Sequence, residues 1–368
     1  MTAAGTERPE RPERPERSDL PGLSRARIDP WLRRTFPSLT GDGEWSAELI
    51  SGGLSNITYR VHLGGGSGGG DVILRRPPLG GVLPSAHDMR REYRIIHALA
   101  GTDVPVPQAL ALEPDADVLG CPFYVMSDVP GEVLRTAADT GRLGVAARGL
   151  LAEEFVETLA RLHAVDVDAV GLSDYGRGAG YAGRQVRRWG EQWQRSRQRD
   201  LPDLDRLVAT LADRVPPDRE TTIVHGDYRI DNTVVELGPN ATAPRIVAVL
   251  DWELSTLGEP VADLALAMTY WHDRDDDERA SIPVAVGVTA HAGFPTAVEV
   301  AERYSARTGR DLDQLPFYLG LAGMKLAVIL EGVVARHRGG HTVSGGYDQL
   351  GDAVPALVAR GLRALGPS

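Results

Sequence analysis

A polar segment enclosed by apolar strands occupies the middle of this sequence and constrains its fold most. In "IVHGDYRIDNTVV", residues 223–235, one histidine, two aspartates, an arginine and an asparagine stand between branched apolar residues. A second apolar run, "RIVAVLD", occupies residues 245–251. Short runs of this composition are typical of buried strands. The two strands predict a hairpin that brings Asp227, Asn232 and Asp251 into one small region.

The oxygen atoms of these side chains suggest phosphate chemistry. Asn232 and Asp251 offer the hard ligands that suit Mg²⁺, an ion that keeps waters and borrows phosphate oxygens. Asp227 could orient a substrate hydroxyl and accept its proton. We expect His225 to brace the loop by hydrogen bonds. An alternative is a two-metal phosphohydrolase centre, whose ligands would be His225, Asp227, Asp251 and Glu253.

Strand and helix patterns divide the rest of the chain. "NITYRVHL" at 56–63 alternates as a half-buried strand, and "DVILRR" at 71–76 is its partner beyond a glycine-rich turn. From about residue 143 the apolar spacing is mostly helical, as in "LLAEEFVETLARLHAV" and "DLALAMTYWHD". The pattern predicts an α+β chain with a strand-rich first part and a larger, mainly helical second part.

Composition limits the possible partners and compartment. The net charge of −11 argues against nucleic acid as the main partner, and no apolar run has transmembrane length. One cysteine, Cys121, excludes a disulfide framework, and the charged start lacks a secretory signal. A cytoplasmic protein without membrane contacts is therefore expected.

The Glu-Arg-Pro repeat predicts a disordered tail over residues 1–26, with a helix starting near Asp29 and Pro30. The oligomeric state stays unknown.

The choice of basic residue excludes one class of phosphate site. All but one of the 40 basic residues are arginine, the exception being Lys325, so no P-loop motif is present. A phosphate-binding cation in the first part must be arginine. Arg75 ends "DVILRR", and Glu92 lies in the next predicted helix, where an ion pair could aim the arginine at phosphates. The alternative is that both side chains are simply solvated.

A glycine turn precedes this pair. "ISGGLSNITY" places Gly52 and Gly53 between two predicted strands, followed by Ser55 and Asn56. Backbone amides in such a turn can approach phosphate oxygens, and short polar side chains add donors. Most Gly-Gly turns only reverse the chain, so this turn gains meaning from the Arg75–Glu92 pair and the later polar segment.

These motifs together resemble the aminoglycoside phosphotransferase family, which has the protein-kinase-like fold. The resemblance rests on "VHGDYRIDN" followed by "LDWELSTLGEPVADLA" and covers about residues 27 to 368. "LRRPP" and "PFYVM" look most like the branch fused to some acyl-CoA dehydrogenases. The resemblance implies two lobes, namely a small β-rich nucleotide-binding lobe with a hinge at 27–128 and a helical lobe with catalytic loop and substrate cleft at 129–368.

The resemblance also implies an activity, the transfer of a phosphoryl group from Mg·ATP to a small-molecule hydroxyl. Asp227 would be the catalytic base, and Asn232 and Asp251 would hold Mg²⁺. The nucleotide would contact Gly52, Gly53, Ser55, Asn56, Arg75, Glu92, Met126 and Asp128, the last two through the hinge. Asp263 would anchor the catalytic loop.

Arg75 departs from the family pattern, because it stands where a phosphate-binding lysine is usual. Arginine keeps the charge and can grip phosphate with two N–H groups, but it is bulkier and reaches differently. Arg76 is the other candidate. A kinase-like protein that binds ligand without catalysis is therefore a third possibility. The phosphohydrolase alternative leaves Arg75, Glu92 and the glycine turn without a role.

The acceptor is the least defined component. Aminoglycosides, choline, amino sugars and hydroxy acids or their coenzyme A esters all fit, and the branch favours a hydroxyacyl compound. Residues 184–199 carry six arginines and one glutamate, with Trp189 and Trp193 on one helix face. This segment is either a basic wall of the substrate cleft, suited to an anionic acceptor, or a surface helix whose tryptophans dock on the core.

Overall fold

The computed structural model describes residues 19–40, 44–50, 56–64, 70–79, 88–338 and 347–367. They form two compact units. The first comprises the chain up to Arg94 together with Gln108–Asp128, and the second comprises Ile95–Pro107 and the chain from Val129 onward. Each unit contains its own cluster of buried apolar side chains.

The first unit is built on a five-stranded antiparallel sheet. Its strands are β1 (Ser46–Leu49), β2 (Ile57–His62), β3 (Asp71–Arg76), β4 (Ala109–Glu113) and β5 (Phe123–Ser127). Their order across the sheet is β1-β2-β3-β5-β4. The register sets Tyr59 opposite Leu74 and Leu74 opposite Val125, and all three side chains are fully buried. Rows of apolar side chains across neighbouring strands stabilise a sheet. The predicted alternation of β2 is confirmed.

This part of the chain also contains three helices, α1 (Arg25–Thr35), α2 (Pro37–Thr40) and α3 (Met89–Leu99). Trp31 of α1 packs against Phe123 of β5 with their ring centroids 4.8 Å apart. The indole N–H of Trp31 donates to Glu113 of β4 at 2.7 Å. Helix α1 is therefore fixed to the sheet by both an apolar and a polar contact.

The start of α1 differs from the prediction. The predicted tail over residues 1–26 lies outside the described residues up to position 18, and α1 begins at Arg25. The Arg25 amide donates to the Asp19 carboxylate at 2.7 Å, which satisfies an N–H group that the first helical turn leaves open. Asp29 and Pro30, the predicted start, lie inside the helix. The predicted tail therefore extends too far along the chain, and the predicted helix start lies about one turn after the observed one.

The second unit is mainly helical. Its helices are α4 (Ala137–Gly141), α5 (Val145–His163), α6 (Tyr181–Ser196), α7 (Pro202–Asp213), α8 (Pro260–Tyr270), α9 (Asp277–Ala280), α10 (Ala297–Thr308), α11 (Leu315–Arg338) and α12 (Val354–Leu365). The helical segments singled out from the sequence correspond to α5, α6 and α8. Trp189 and Trp193 of α6 are buried in the core cluster, so the tryptophans of the basic segment do dock on the core.

Helix α11 is the central element of this core. It packs against α12, α8 and α6. Within Leu315–His337 it is long and apolar enough to cross a membrane by length and composition, but most of that window is buried inside the protein. The core of a folded unit accounts for such a helix.

Two short antiparallel strand pairs complete the second unit. They are β6 (Thr222–Val224) with β9 (Thr256–Gly258), and β7 (Thr233–Glu236) with β8 (Arg245–Val249). The second pair is the predicted hairpin. Its register sets Thr233 opposite Val249, and the Leu250 amide donates to the carbonyl of Asn232 at 2.8 Å. Asn232 and Asp251 are therefore placed at the same end of the hairpin, as expected.

Candidate active site

The loop between β6 and β7 takes a backbone shape that requires glycine. Gly226 has a φ of +80°, in the left-handed region, and a Cβ there would lie 2.6 Å from the Leu254 carbonyl oxygen. A side chain at this position would therefore meet both backbone strain and a direct clash. The glycine of "HGD" fixes the turn that presents Asp227.

A buried carboxylate from α8 holds the start of this loop. The oxygens of Asp263 accept hydrogen bonds from the amides of His225 at 2.5 Å and Gly226 at 2.7 Å. His163 of α5 lies 3.4 Å from the same carboxylate. Burial alone would raise the pKa of Asp263, but the bonds from His163 and Gly226 outweigh burial and hold it below its ordinary value. Asp263 is thus an ionised anchor for the loop backbone.

His225 has the geometry of a brace. Its Nε2 donates to the Leu250 carbonyl at 2.8 Å, and its Nδ1 accepts from the Asp227 amide at 3.2 Å. The ring also packs against Trp252 at a centroid distance of 4.7 Å. Both ring nitrogens are used, so His225 cannot also bind a metal in this arrangement.

Both oxygens of the Asp227 carboxylate accept hydrogen bonds. The hydroxyl of Tyr270 donates to Oδ1 at 2.6 Å, and the Asn232 amide donates to Oδ2 at 2.9 Å. Arg229 Nε approaches Oδ2 at 3.2 Å. Burial and the neighbouring Asp227 raise the pKa of Tyr270 well above its ordinary value near 10, so the phenol stays a hydrogen-bond donor. These three donors therefore hold the Asp227 carboxylate in one orientation.

Arg229 joins two acidic side chains of the loop. Its Nη1 donates to Asp231 Oδ2 at 2.7 Å, and its guanidinium lies 5.3 Å from the ring centre of Tyr270. Burial raises the pKa of Asp231. Its Oδ1 is buried, with no hydrogen-bond partner within the part of the chain that the structure describes. Arg229, Asp231 and Tyr270 line a small pocket together with Phe155 and Thr289.

The predicted magnesium ligands fit that ion by their chemistry. Asn232 uses its amide nitrogen for the carbonyl and carboxylate oxygens of Asp227, which leaves the amide oxygen as its acceptor. Asp251 stands two residues after the end of β8, with a φ of 65°. Two hard oxygen ligands suit an ion that takes the rest from water and phosphate.

The structure does not support the phosphohydrolase alternative. That alternative needs His225 as a ligand, whereas both of its nitrogens are engaged in the loop. Over the described ranges, no group of three or more histidine, cysteine or acidic side chains could hold a metal ion.

In the first unit, Arg75 and Glu92 form the predicted ion pair. Arg75 Nε donates to Glu92 Oε2 at 2.9 Å, and Glu92 is almost fully buried, with 1% of its side chain exposed. Asn56 donates to the other oxygen at 2.8 Å, and the Tyr124 hydroxyl donates to Oε2 at 3.2 Å. Of the two candidate arginines, Arg75 is the one joined to Glu92, and Arg76 donates to the Pro77 carbonyl at 3.2 Å.

Of the other residues predicted to contact nucleotide, some lie outside the described residues and others lie in or just after β5. Gly52, Gly53 and Ser55 lie outside the described residues. Met126 lies in β5 with its side chain buried. Asp128 follows β5, and its carboxylate accepts from Arg60 at 2.8 Å. Their contacts with nucleotide stay predictions.

Sequence reasoning missed Tyr270, Tyr124 and the role of Arg229. A signal for Tyr270 existed, because it stands seven residues after Asp263 on a predicted helix. Positions seven apart lie on the same helix face. Arg229 is flanked by Asp227 and Asp231, each two residues away, which also suggested a local ion pair. For Tyr124, burial in a strand gave no sign of a polar partner.

Comparison with known proteins identifies the family of the chain. A model of the APH phosphotransferase enzyme family matches residues 46–316. The chain is 34% identical over 357 residues to acyl-CoA dehydrogenase family member 11 of Gallus gallus, and the match covers 93% of this chain and 44% of that protein. The chain thus spans less than half the length of this relative.

Solved structures show the same fold. A protein of Ralstonia eutropha described as a "putative aminoglycoside phosphotransferase" is 32% identical with a TM-score of 0.76, and the match covers 93% of this chain and 98% of that one. A complex of aminoglycoside phosphotransferase APH(4)-Ia with AMP-PNP and hygromycin B has a TM-score of 0.57 at 14% identity, covering 93% and 99% of the two chains. The chain therefore belongs to the APH phosphotransferase enzyme family, as a small-molecule phosphotransferase with a protein-kinase-like fold.

Proposed function

We propose that the chain transfers the γ-phosphoryl group of ATP to a hydroxyl of a small molecule, with Asp227 as the base. The observation that carries the proposal is the fixed carboxylate of Asp227, held by Tyr270 and Asn232 directly after a glycine turn. Positioning and charge stabilisation supply most of the catalysis in phosphoryl transfer, so a rigid carboxylate is the group such an enzyme needs.

The proposed step is a direct displacement at the γ-phosphorus. The acceptor oxygen forms a bond to the γ-phosphorus while the bond from that phosphorus to the β–γ bridging oxygen breaks, and the hydroxyl proton moves to Asp227. Asn232 and Asp251 would hold Mg²⁺, which neutralises developing charge on the phosphates when bound. The acceptor hydroxyl shares the carboxylate with Tyr270, whose phenol stays protonated.

Nucleotide binding is assigned to the first unit. The Arg75–Glu92 pair supports this, because a cation restrained by a buried acid and two further donors can be aimed at phosphate. The glycine turn with Gly52, Gly53 and Ser55, and the strand end at Met126 and Asp128, belong to the same proposal. The APH(4)-Ia complex, which contains AMP-PNP, supports a nucleotide co-substrate.

For the acceptor we infer a hydroxyacyl compound, such as a hydroxy acid or its thioester. Support comes from the relative named as an acyl-CoA dehydrogenase family member. An aminoglycoside is the second candidate, favoured by the description of the Ralstonia protein. The single cysteine, Cys121, and the proposed use of ATP support a cytoplasmic setting for the reaction.

The test is mass spectrometry of a metabolite pool incubated with Mg·ATP and the protein. The pool contains hydroxyacyl-coenzyme A esters, free hydroxy acids, aminoglycosides and amino alcohols. We expect one class to gain a phosphoryl group with the intact protein and not with Asp227→Ala. Loss of phosphate from pool members without ATP would instead indicate hydrolysis. Binding of Mg·ATP without any phosphorylated product would favour a binding protein.

A further inference from the structure

The single lysine of the chain lies against the proposed catalytic loop. Lys325 belongs to α11, and its ammonium donates to the Gly226 carbonyl at 2.5 Å. Gly226 directly precedes Asp227. The residue keeps some solvent exposure, although its surroundings are enclosed enough to lower the pKa of the ammonium. Lys325 therefore fixes the loop with one N–H and keeps further donors for another group, since an ammonium carries three.

A second cation shares the surroundings of Lys325. The Lys325 nitrogen lies 5.8 Å from the ring centre of Trp189, and the guanidinium carbon of Arg188 lies 5.5 Å from the same ring centre. Burial lowers the pKa of Lys325, the carboxylates of Asp227 and Asp263 oppose that shift, and Arg188 adds to it. The two cations thus lie beside the same aromatic ring.

The other arginines of the basic segment are mostly satisfied. Arg195 pairs with Glu191, Arg197 with Asp200 and Asp205, and Arg199 with Glu331, while Arg184 donates to backbone carbonyls. Among the described residues, neither Arg188 nor Lys325 lies within salt-bridge distance of a carboxylate. An unpaired pair of cations beside a phosphotransfer loop, in a chain of net charge −11, is suited to an anionic ligand.

We propose that Arg188 and Lys325, which both lie beside the ring of Trp189, form an anion-binding subsite for the acceptor. This inference rests on the proposed function and narrows its acceptor to molecules that carry a carboxylate or a phosphate. Lys325 positions the loop and contacts the anion, whereas Arg188 contacts the anion only. A polycationic acceptor such as an aminoglycoside would be repelled from this subsite.

The single lysine allows a direct binding measurement. Growth on lysine labelled with ¹³C at Cε gives the protein one lysine signal by NMR. Titration with inorganic phosphate, and separately with acetate, should shift this signal saturably, while sodium chloride at equal ionic strength should not. The stronger of the two responses identifies phosphate or carboxylate as the preferred group.

Two neighbouring arginines provide the variant and its control. Arg188→Gln should weaken the apparent affinity for the preferred anion about fivefold or more, because it removes one of two cations. Arg187→Gln changes an exposed arginine of the same helix that lacks a contact with Trp189 in the described structure, and it should bind as the unmodified protein does. A lysine signal that ignores both anions, or equal affinity in the Arg188→Gln variant, would overturn the subsite.

Kinetics separate this inference from the proposed function. With an anionic acceptor, Arg188→Gln should raise the KM for that acceptor about fivefold with little change in kcat, and Arg187→Gln should leave both unchanged. An unchanged KM in Arg188→Gln would overturn the subsite while leaving the kinase intact. Saturable anion binding at Lys325 in a protein that phosphorylates none of the pool would instead contradict the proposed function and leave the anion site standing.

Discussion

The carboxylate of Asp227 is held at both oxygens, and two of its donors come from side chains near it in sequence. Asn232 and Arg229 lie on the same loop, so the motif "HGDYRIDN" itself indicates them. The donor to the other oxygen, Tyr270, lies 43 residues further along. A local motif cannot reveal such a contact, because it depends on how α8 packs against the loop.

Replacing Tyr270 tests the role of this hydrogen bond. Tyr270→Phe removes the hydroxyl that donates to Asp227 Oδ1 and keeps the buried ring. Bonds to charged groups are stronger than neutral ones, so we expect kcat for phosphoryl transfer to fall about tenfold. Binding of Mg·ADP should not change. Steady-state kinetics and calorimetry measure the two quantities.

The matched control is Tyr318→Phe. Tyr318 is also buried, but its hydroxyl lacks a hydrogen-bond partner among the described residues. This variant should keep its kcat and be as stable as the parent protein, or slightly more so. Equal kcat values for Tyr270→Phe and the parent would show that the phenol does not position Asp227.

At the scale of elements, helix α8 fixes the loop at two points. Asp263 near its start binds the backbone of His225 and Gly226, and Tyr270 at its end binds the Asp227 side chain. Seven residues make about two helical turns, which keeps both side chains on one face. The sequence predicted α8 and the hairpin from their apolar patterns. It could not predict Lys325 beside Gly226, because α11 is apolar nearly all round and its partner is 99 residues away.

The contact between Asp263 of α8 and His163 makes the stability of the protein depend on pH. Burial lowers the pKa of His163 below its ordinary value of 6.5, so the folded state keeps this ring neutral. The unfolded chain then binds the proton more readily, and stability is full above about pH 6.5 and falls as the pH drops below it. Asp263, whose pKa is lowered, adds a further loss at lower pH, below its ordinary value of 3.8.

Urea unfolding between pH 7.5 and 5 tests this prediction. The free energy of unfolding of the parent protein should fall with decreasing pH more steeply than that of His163→Asn, which has no ring to protonate. His97→Asn, an exposed position on α3, is the control and should follow the parent curve. Parallel curves for the parent and His163→Asn would contradict the assignment of a buried neutral histidine.

For the whole molecule, the proposed site residues lie in two units, and the sequence predicts their contacts unequally well. The Arg75–Glu92 pair was predicted and is present, because strand alternation and helix spacing both aimed those side chains inward. The contributions of Asn56 and Tyr124 to that pair depend on the sheet register, which one sequence does not specify. The glycine turn lies outside the described residues and stays a prediction.

Removing the Arg75–Glu92 pair tests whether the first unit binds the nucleotide. Loss of Arg75 alone would remove the cation that faces the buried Glu92 carboxylate, and breaking a buried ion pair in this way costs about 3–5 kcal/mol of stability. The double variant Arg75→Met with Glu92→Gln removes both charges together. We expect its KM for ATP to rise about tenfold or more, since one charge-assisted phosphate contact is lost. Arg90→Gln, on the surface of the same helix as Glu92, should leave the KM for ATP unchanged. A KM in the double variant equal to that of the parent would remove Arg75 from the nucleotide site.

Asp227→Ala gives the most direct test of Asp227 as the base, because it separates phosphoryl transfer from nucleotide binding. Single-turnover transfer from Mg·ATP to the acceptor found in the screen should slow by about 100- to 10,000-fold, the usual contribution of a general base. The affinity for Mg·ADP should stay the same, because the proposed nucleotide contacts and metal ligands are intact. A transfer rate close to that of the parent protein would contradict Asp227 as the base.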